Sequence, residues 1–170
     1  MAYSPELLDR LESLDPAPWS GTAYRYTAGG RSPESENTQG ARWNPPEVAA
    51  IYVALDRETL LAEFEYHLAV LSPRPRRSAF TLYSLRLDVE NVLELRSPDL
   101  LLELGITPEA LADDDHSRCR EVGGAAAYLH SGGILVPSAR RDKGTNLVIY
   151  PHHQNAGYAF DTLSKETIPG

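Results

Sequence analysis

A chain of 170 residues lies in the usual single-domain range and can bury a core with a cleft cut into it. Its formal net charge of −8 argues against a DNA or RNA binder, because such proteins gain affinity by neutralising phosphates. The longest apolar run is Val48–Leu55, far short of the ~18 residues of a membrane span. The N-terminus has no basic-then-apolar signal pattern, and the single cysteine, Cys119, has no intrachain partner for a disulfide, so a cytoplasmic protein is expected.

In chain order, Pro5–Leu14 reads as a short amphipathic helix with Leu7, Leu8, Leu11 and Leu14 apolar. Thr22–Thr27 is rich in aromatic and β-branched residues and predicts a strand. Residues 28–47 are rich in Gly, Ser, Pro and Asn and predict a long loop, a feature uncommon in compact domains and often functional. Ala50–Leu55 predicts a second strand, with Asp56 placed to cap the following helix. That helix, Arg57–Val70, gathers Leu60, Leu61, Phe64 and Leu68 on one face.

Ser78–Leu87 predicts a further strand, followed by an acidic segment. Ser117–His130 predicts a helix weakened by Gly123 and Gly124. Ile134–Pro137 and Asn146–Tyr150 read as short buried strands and Gly157–Leu163 as a last one. Helices and strands alternate without a regular βαβ rhythm, so the fold class expected is α+β, in one domain spanning 1–170.

Several chemistries find no support. One cysteine and five scattered histidines give no C-x-x-C pair and no H-E-x-x-H spacing, so no metal site is expected. Asp113, Asp114 and Asp115 read as a solvated loop or helix cap. There is no phosphate-binding G-x-x-x-x-G-K-[ST], no G-x-G-x-x-G after a strand, and no G-x-S-x-G around Ser138. Cys119, in a Gly/Ala-rich helix, reads as packing. The one basic cluster is Arg74, Arg76 and Arg77, and a local pocket for a small anion is compatible with an acidic total.

Five polar or aromatic residues remain. Arg25 lies mid-strand between Tyr24 and Tyr26, and Arg42 falls in GARWNPP at the end of the long loop. Tyr52 interrupts an aliphatic strand, Glu63 flanks the apolar face of its helix, and Ser138 follows VP after a buried strand. Singly, each has an ordinary explanation, such as a paired arginine, a core tyrosine, an exposed helical glutamate or a turn serine. Residue types alone do not choose Glu63 over Glu58 or Glu65.

Together these segments resemble the RES domain family, named for an arginine, a glutamate and a serine. GARWNPPEVAAIYVALDRETLLAE, residues 40–63, matches its G-R-W-N turn, its tyrosine-bearing strand and a helix whose glutamate follows that tyrosine by eleven residues. YR puts the family arginine on Arg25, and GGILVPSAR followed by NLVIYPHH puts the serine on Ser138 with Asn146 nearby. The likeness covers about residues 22–162. Ala41, Glu47 and Tyr150 depart from the usual pattern beside these positions.

The resemblance implies an ADP-ribosyltransferase-like mixed core of two small sheets with surrounding helices and NAD in a cleft between the sheets. It also implies a toxin of a toxin–antitoxin pair, with a helix-turn-helix antitoxin as partner in a homo- or hetero-oligomer. The implied activity is cleavage of the nicotinamide–ribose bond by hydrolysis or phosphorolysis. Transfer of ADP-ribose to a protein and an inactive binding module of the same fold are the alternatives.

In that reaction Glu63 is the carboxylate that steadies a ribose turning cationic, and Arg25 and Arg42 grip the pyrophosphate. Tyr52 offers its ring to the nicotinamide, and Ser138 and Asn146 supply hydrogen bonds to the cofactor or the incoming nucleophile. Ser138 is not expected to act as a covalent nucleophile.

Overall fold

A computed structural model describes residues 2–152 and 157–168. Among these, six strands and five helices follow one another as α1 (Pro5–Glu12), β1 (Ala17–Ala28), β2 (Ile51–Ala54), α2 (Arg57–Val70), β3 (Phe80–Glu94), α3 (Pro98–Glu103), α4 (Pro108–Ala112), α5 (Ser117–Tyr128), β4 (Gly133–Pro137), β5 (Thr145–Ile149) and β6 (Tyr158–Thr167). The mixed α+β class is the one expected. His153, one of the five histidines that show no metal-ligand spacing in the sequence, lies outside the described residues.

Two strands run further than their local composition suggests. β3 continues to Glu94 because its period-2 alternation persists, with Leu85, Leu87 and Val89 buried and Arg86, Asp88 and Glu90 exposed. β1 begins at Ala17 because it pairs antiparallel with β3 along nearly its whole length, from Ala17 opposite Val92 to Ala28 opposite Phe80. The acidic segment holds two short helices that the composition hid. Each opens on a hydroxyl cap followed by proline, Ser97-Pro98 and Thr107-Pro108, and each hydroxyl accepts from a backbone N–H of the first turn.

The sheet arrangement differs from the two separate small sheets expected. The described strands form one sheet, in the order β1-β2-β5-β4-β3-β6, and the additional β1–β3 pairing closes five of them into a small barrel. The cause is the length of β3. One edge is taken by β1, while the other is shared by antiparallel β6 over residues 81–89 and parallel β4 over residues 92–94. A strand of fifteen residues thus stitches into one surface what shorter strands would leave as two.

Alternation sorts the side chains. Ile51, Val53, Leu85, Leu87, Leu135, Leu147 and Ile149 fill the barrel interior. The outward residues of β4 and β5, among them Ile134, Val136 and Val148, pack under α5 and α1. On another flank, α2 lays Leu60, Phe64 and Leu68 against Ala54, Phe80 and Leu82, with Tyr26, Phe64 and Phe80 meeting edge to face.

Gly123 and Gly124, read from sequence as weaknesses in α5, are where the helix approaches the rest of the chain most closely. A Cβ on Gly123 would lie 1.8 Å from the Trp43 carbonyl oxygen, and one on Gly124 would lie 2.3 Å from the Tyr3 hydroxyl. The lost helix propensity, about 1 kcal/mol per glycine, is offset by this contact.

Candidate active site

A cleft of about 600 Å³ opens between α2, the long loop after β1, and the outward faces of β2 and β5. Cross-strand register builds its floor, since Ala54 stands opposite Asn146 and Tyr52 opposite Val148. Its apolar walls and few convergent polar groups are those of a small-molecule site.

The wall contributed by α2 is a stripe. Glu63, Tyr66, His67 and Val70 recur at intervals of three, one and three residues and all line the cleft. The helix therefore has two working faces, one on the barrel and one on the cleft, so its apolar character is nearly uniform around the axis. Asp56 caps it by accepting from the Thr59 N–H at 2.7 Å.

The structure settles which α2 glutamate faces inward. Glu58 and Glu65 are exposed, and Glu65 pairs with Arg77 on the far side. Glu63 is half-buried and accepts at Oε2 from the Ser138 hydroxyl at 3.0 Å. Burial raises the Glu63 pKa above the ordinary carboxylate value, opposed by hydrogen bonding from Asn146 and Ser138 and by the positive charges of Arg140 and Arg42.

Ser138 is fully engaged. Besides donating to Glu63, its oxygen accepts from the backbone N–H groups of Arg140 at 3.1 Å and Arg141 at 3.2 Å. It braces the carboxylate in this structure and does not present a free hydroxyl to the cleft. Asn146 sits beside the carboxylate, and its Oδ1 is buried with no hydrogen-bond partner among the described residues. Such an acceptor is costly to leave unmet, and a ligand hydroxyl or amide would satisfy it.

The loop 37–48 is pinned from several sides. The Tyr52 hydroxyl accepts from the Trp43 N–H at 2.8 Å and donates to Asn44 Oδ1 at 2.7 Å. Asn44 Nδ2 donates to the Val48 carbonyl at 2.7 Å, Tyr150 donates to the Trp43 carbonyl at 2.9 Å, and Arg120 Nε donates to the Ala41 carbonyl at 2.8 Å. Tyr150, one of the departures from the family pattern, is thus a clamp on the loop that carries Arg42. The ring of Tyr52 lines the cleft while its hydroxyl serves the loop.

Arg25, Arg42 and Arg140 all line this cleft, and none forms an ion pair with a carboxylate among the described residues. Arg25 donates to the Pro33 carbonyl, and burial together with nearby Arg31 lowers its pKa to about 10. Arg42 donates to the Asp113 carbonyl at 3.0 Å, and its pKa is lowered, first by burial. Half-buried cations left without anionic partners are suited to an anionic ligand.

All six residues singled out in the sequence meet at this place, five on the cleft lining and Ser138 one bond behind Glu63. Sequence reasoning missed Arg140, whose guanidinium lies 3.3 Å from the centre of the Tyr66 ring, and the Tyr26 hydroxyl, 2.5 Å from His67 Nδ1. The Glu63-Tyr66-His67-Val70 spacing was the available signal for the α2 members. Cys119 is buried in the α5 core, where burial raises its thiol pKa. Asp113 and Asp115 accept from the backbone of the turn into α5. Among the described residues no three His, Cys, Asp or Glu side chains stand together as a metal set would, and no helix is long and apolar enough to cross a membrane.

A small closed barrel with a cleft on its outer face, a shielded carboxylate and arginines without acidic partners defines a binding or catalytic protein for an anionic small molecule. The chain belongs to the RES domain family, which it matches over residues 8–168. It is similar to the NAD(+) phosphorylase MbcT of Mycobacterium bovis and of Mycobacterium tuberculosis, 33% identical over 160 residues that cover 90% of this chain and 84% of the relative. Its fold is similar to that in the crystal structure of the M. tuberculosis MbcT–MbcA toxin–antitoxin complex, with a TM-score of 0.83, 30% identity, and coverage of 98% of this chain and 94% of that one.

Proposed function

We propose that this protein is a cytoplasmic toxin that destroys NAD by phosphorolysis, breaking the bond between nicotinamide and ribose, and that an antitoxin partner restrains it. The observation that carries this reading is Glu63, a braced and shielded carboxylate in a cleft that also holds Arg25 and Arg42 without acidic partners. The kinship with MbcT supports NAD as substrate, phosphate as acceptor and an antitoxin as partner.

In NAD the nicotinamide nitrogen is already cationic. As the glycosidic bond breaks, its electron pair goes to that nitrogen and nicotinamide departs neutral, so no acid has to protonate it. Positive charge develops on the ribose, as in glycoside cleavage. Glu63 stabilises that charge, a preorganised interaction of about 3–4 kcal/mol. An oxygen of phosphate then bonds to the anomeric carbon, giving ADP-ribose 1″-phosphate with no change of oxidation state.

Arg25 and Arg42 hold the pyrophosphate through planar guanidinium forks. Tyr52 offers its face to the cationic ring, which gains roughly 0.5–2 kcal/mol. The free Oδ1 of Asn146 accepts from a ribose hydroxyl or the nicotinamide amide, and Ser138 acts through Glu63. We read the fold as a relative of the ADP-ribosyltransferase core, supported by a strand-borne arginine and a carboxylate facing one NAD-sized cleft. The antitoxin is read as a helix-turn-helix protein that covers this cleft.

The test is the purified protein with NAD, with and without inorganic phosphate. ADP-ribose 1″-phosphate in the presence of phosphate is expected. Label from NAD retained on protein would instead indicate transfer, and intact NAD under both conditions would indicate a binding module.

A further inference from the structure

The cleft holds more cationic capacity than the pyrophosphate grip uses. Arg25 and Arg42 each spend guanidinium N–H groups on backbone carbonyls. Arg140 differs from both. Among the described residues its guanidinium makes no hydrogen bond and no ion pair, yet it is half-buried and lines the same cleft.

Arg140 is also fixed in place. Its guanidinium lies 3.3 Å from the centre of the Tyr66 ring, and Tyr66 in turn donates to Asp114 at 3.3 Å. Its backbone N–H donates to the same Ser138 hydroxyl oxygen that braces Glu63. Stacking on a ring occupies the face of a guanidinium and leaves its N–H edges open, the geometry that takes a phosphate through two parallel bonds. Its charge is felt at Glu63, Arg42, His67 and His116, which puts it amid the polar groups of the cleft.

We propose that Arg140 is the anchor for the phosphate co-substrate, a site separate from the pyrophosphate grip of Arg25 and Arg42. The inference rests on the phosphorolytic reading above. A phosphate dianion that is to reach the anomeric carbon must approach the negative Glu63, and their repulsion has to be met by a cation that the dinucleotide does not already occupy. Arg140 is uncommitted and is tied through Ser138 to that carboxylate. The attacking oxygen is already anionic, so it forms its bond to carbon without a base, and the proton on the phosphate stays with the product or passes to solvent.

The experiment measures NAD consumption against phosphate at saturating NAD, and against NAD at saturating phosphate, for the wild type, Arg140→Gln, Arg140→Lys and Arg76→Gln. Arg76 is exposed in a different hollow and controls for net charge. Loss of the guanidinium fork should raise the phosphate KM of Arg140→Gln at least about tenfold while its NAD KM stays within about twofold. Arg140→Lys should fall between, Arg76→Gln should match the wild type, and at fixed phosphate the products of Arg140→Gln should shift from ADP-ribose 1″-phosphate toward ADP-ribose. KM values and product ratios do not depend on how much of a variant is folded.

A rise confined to the NAD KM would make Arg140 part of the pyrophosphate grip and overturn the assignment. Equal rises in both constants, or no change in either, would overturn it as well. A wild type that consumes NAD at a rate independent of phosphate would refute phosphorolysis itself, before any variant is read.

Discussion

The Ser138 hydroxyl donates to Glu63 Oε2 across 3.0 Å while its oxygen accepts two backbone N–H groups from the turn behind it. That one hydroxyl couples the end of β4 to the middle of α2 and fixes the carboxylate in the cleft. Ser138→Ala should therefore lower kcat by about 10–100-fold, the range for losing a hydrogen bond to a charged group, without abolishing turnover. Because that bond favours the ionised form of Glu63, its removal should also move the acidic limb of the pH–rate profile upward. A covalent role for Ser138 would instead eliminate activity at every pH.

Burial raises the Glu63 pKa, so the folded state holds this proton to higher pH than the unfolded chain does. Stability is accordingly lost as pH rises from the unfolded value through the folded one, and the full cost is present only above the folded value. Glu63→Gln, neutral and of the same shape, should melt at a higher temperature than the wild type at pH 7. The difference should shrink as pH falls through the glutamate range. Thermal melts at a series of pH values check the sign.

The loop that carries Arg42 depends on Tyr52 and on the missing side chain at residue 123. Tyr52→Phe leaves the buried Trp43 N–H and Asn44 Oδ1 short of a partner and should cost about 1–3 kcal/mol. Gly123→Ala drives a methyl group against the Trp43 carbonyl and the Tyr150 hydroxyl and should cost more than Tyr52→Phe. Urea denaturation of the two variants ranks them.

Much of this arrangement is legible in the sequence. Arg57–Val70 was bounded by its Asp56 cap and its 60-64-68 spacing, since caps and helical periods are local signals. The closed barrel was not legible. It depends on β3 pairing with three strands at once, and pairing partners distant in sequence leave no mark on local composition.

Only the family resemblance singles out Glu63 in the sequence, because three glutamates on one helix are alike in type and differ only in which of them faces the cleft. Arg140 escaped notice since neither its stacking on Tyr66 nor its lack of an acidic partner is written in the neighbouring residues. Gly123 read as a helix defect because a carbonyl from residue 43 lies where its side chain would be.

Arg25 sits in the cleft, tied to the Pro33 carbonyl and shielded from water. Arg25→Gln should raise the NAD KM by about 10–100-fold, the effect of losing a charge-assisted contact. Arg25→Lys should recover little of it, because an ammonium group lacks the planar fork. Steady-state kinetics with NAD varied at saturating phosphate tests both.

The most direct measurement compares NAD turnover by Glu63→Gln, Glu58→Gln and Glu65→Gln. These are three single changes of the same charge on the same helix, and only the first faces the cleft. Glu63→Gln should lose about 100–1,000-fold in kcat, while the other two stay within about twofold of the wild type. Similar losses in all three, or full activity in Glu63→Gln, would contradict a catalytic carboxylate at Glu63.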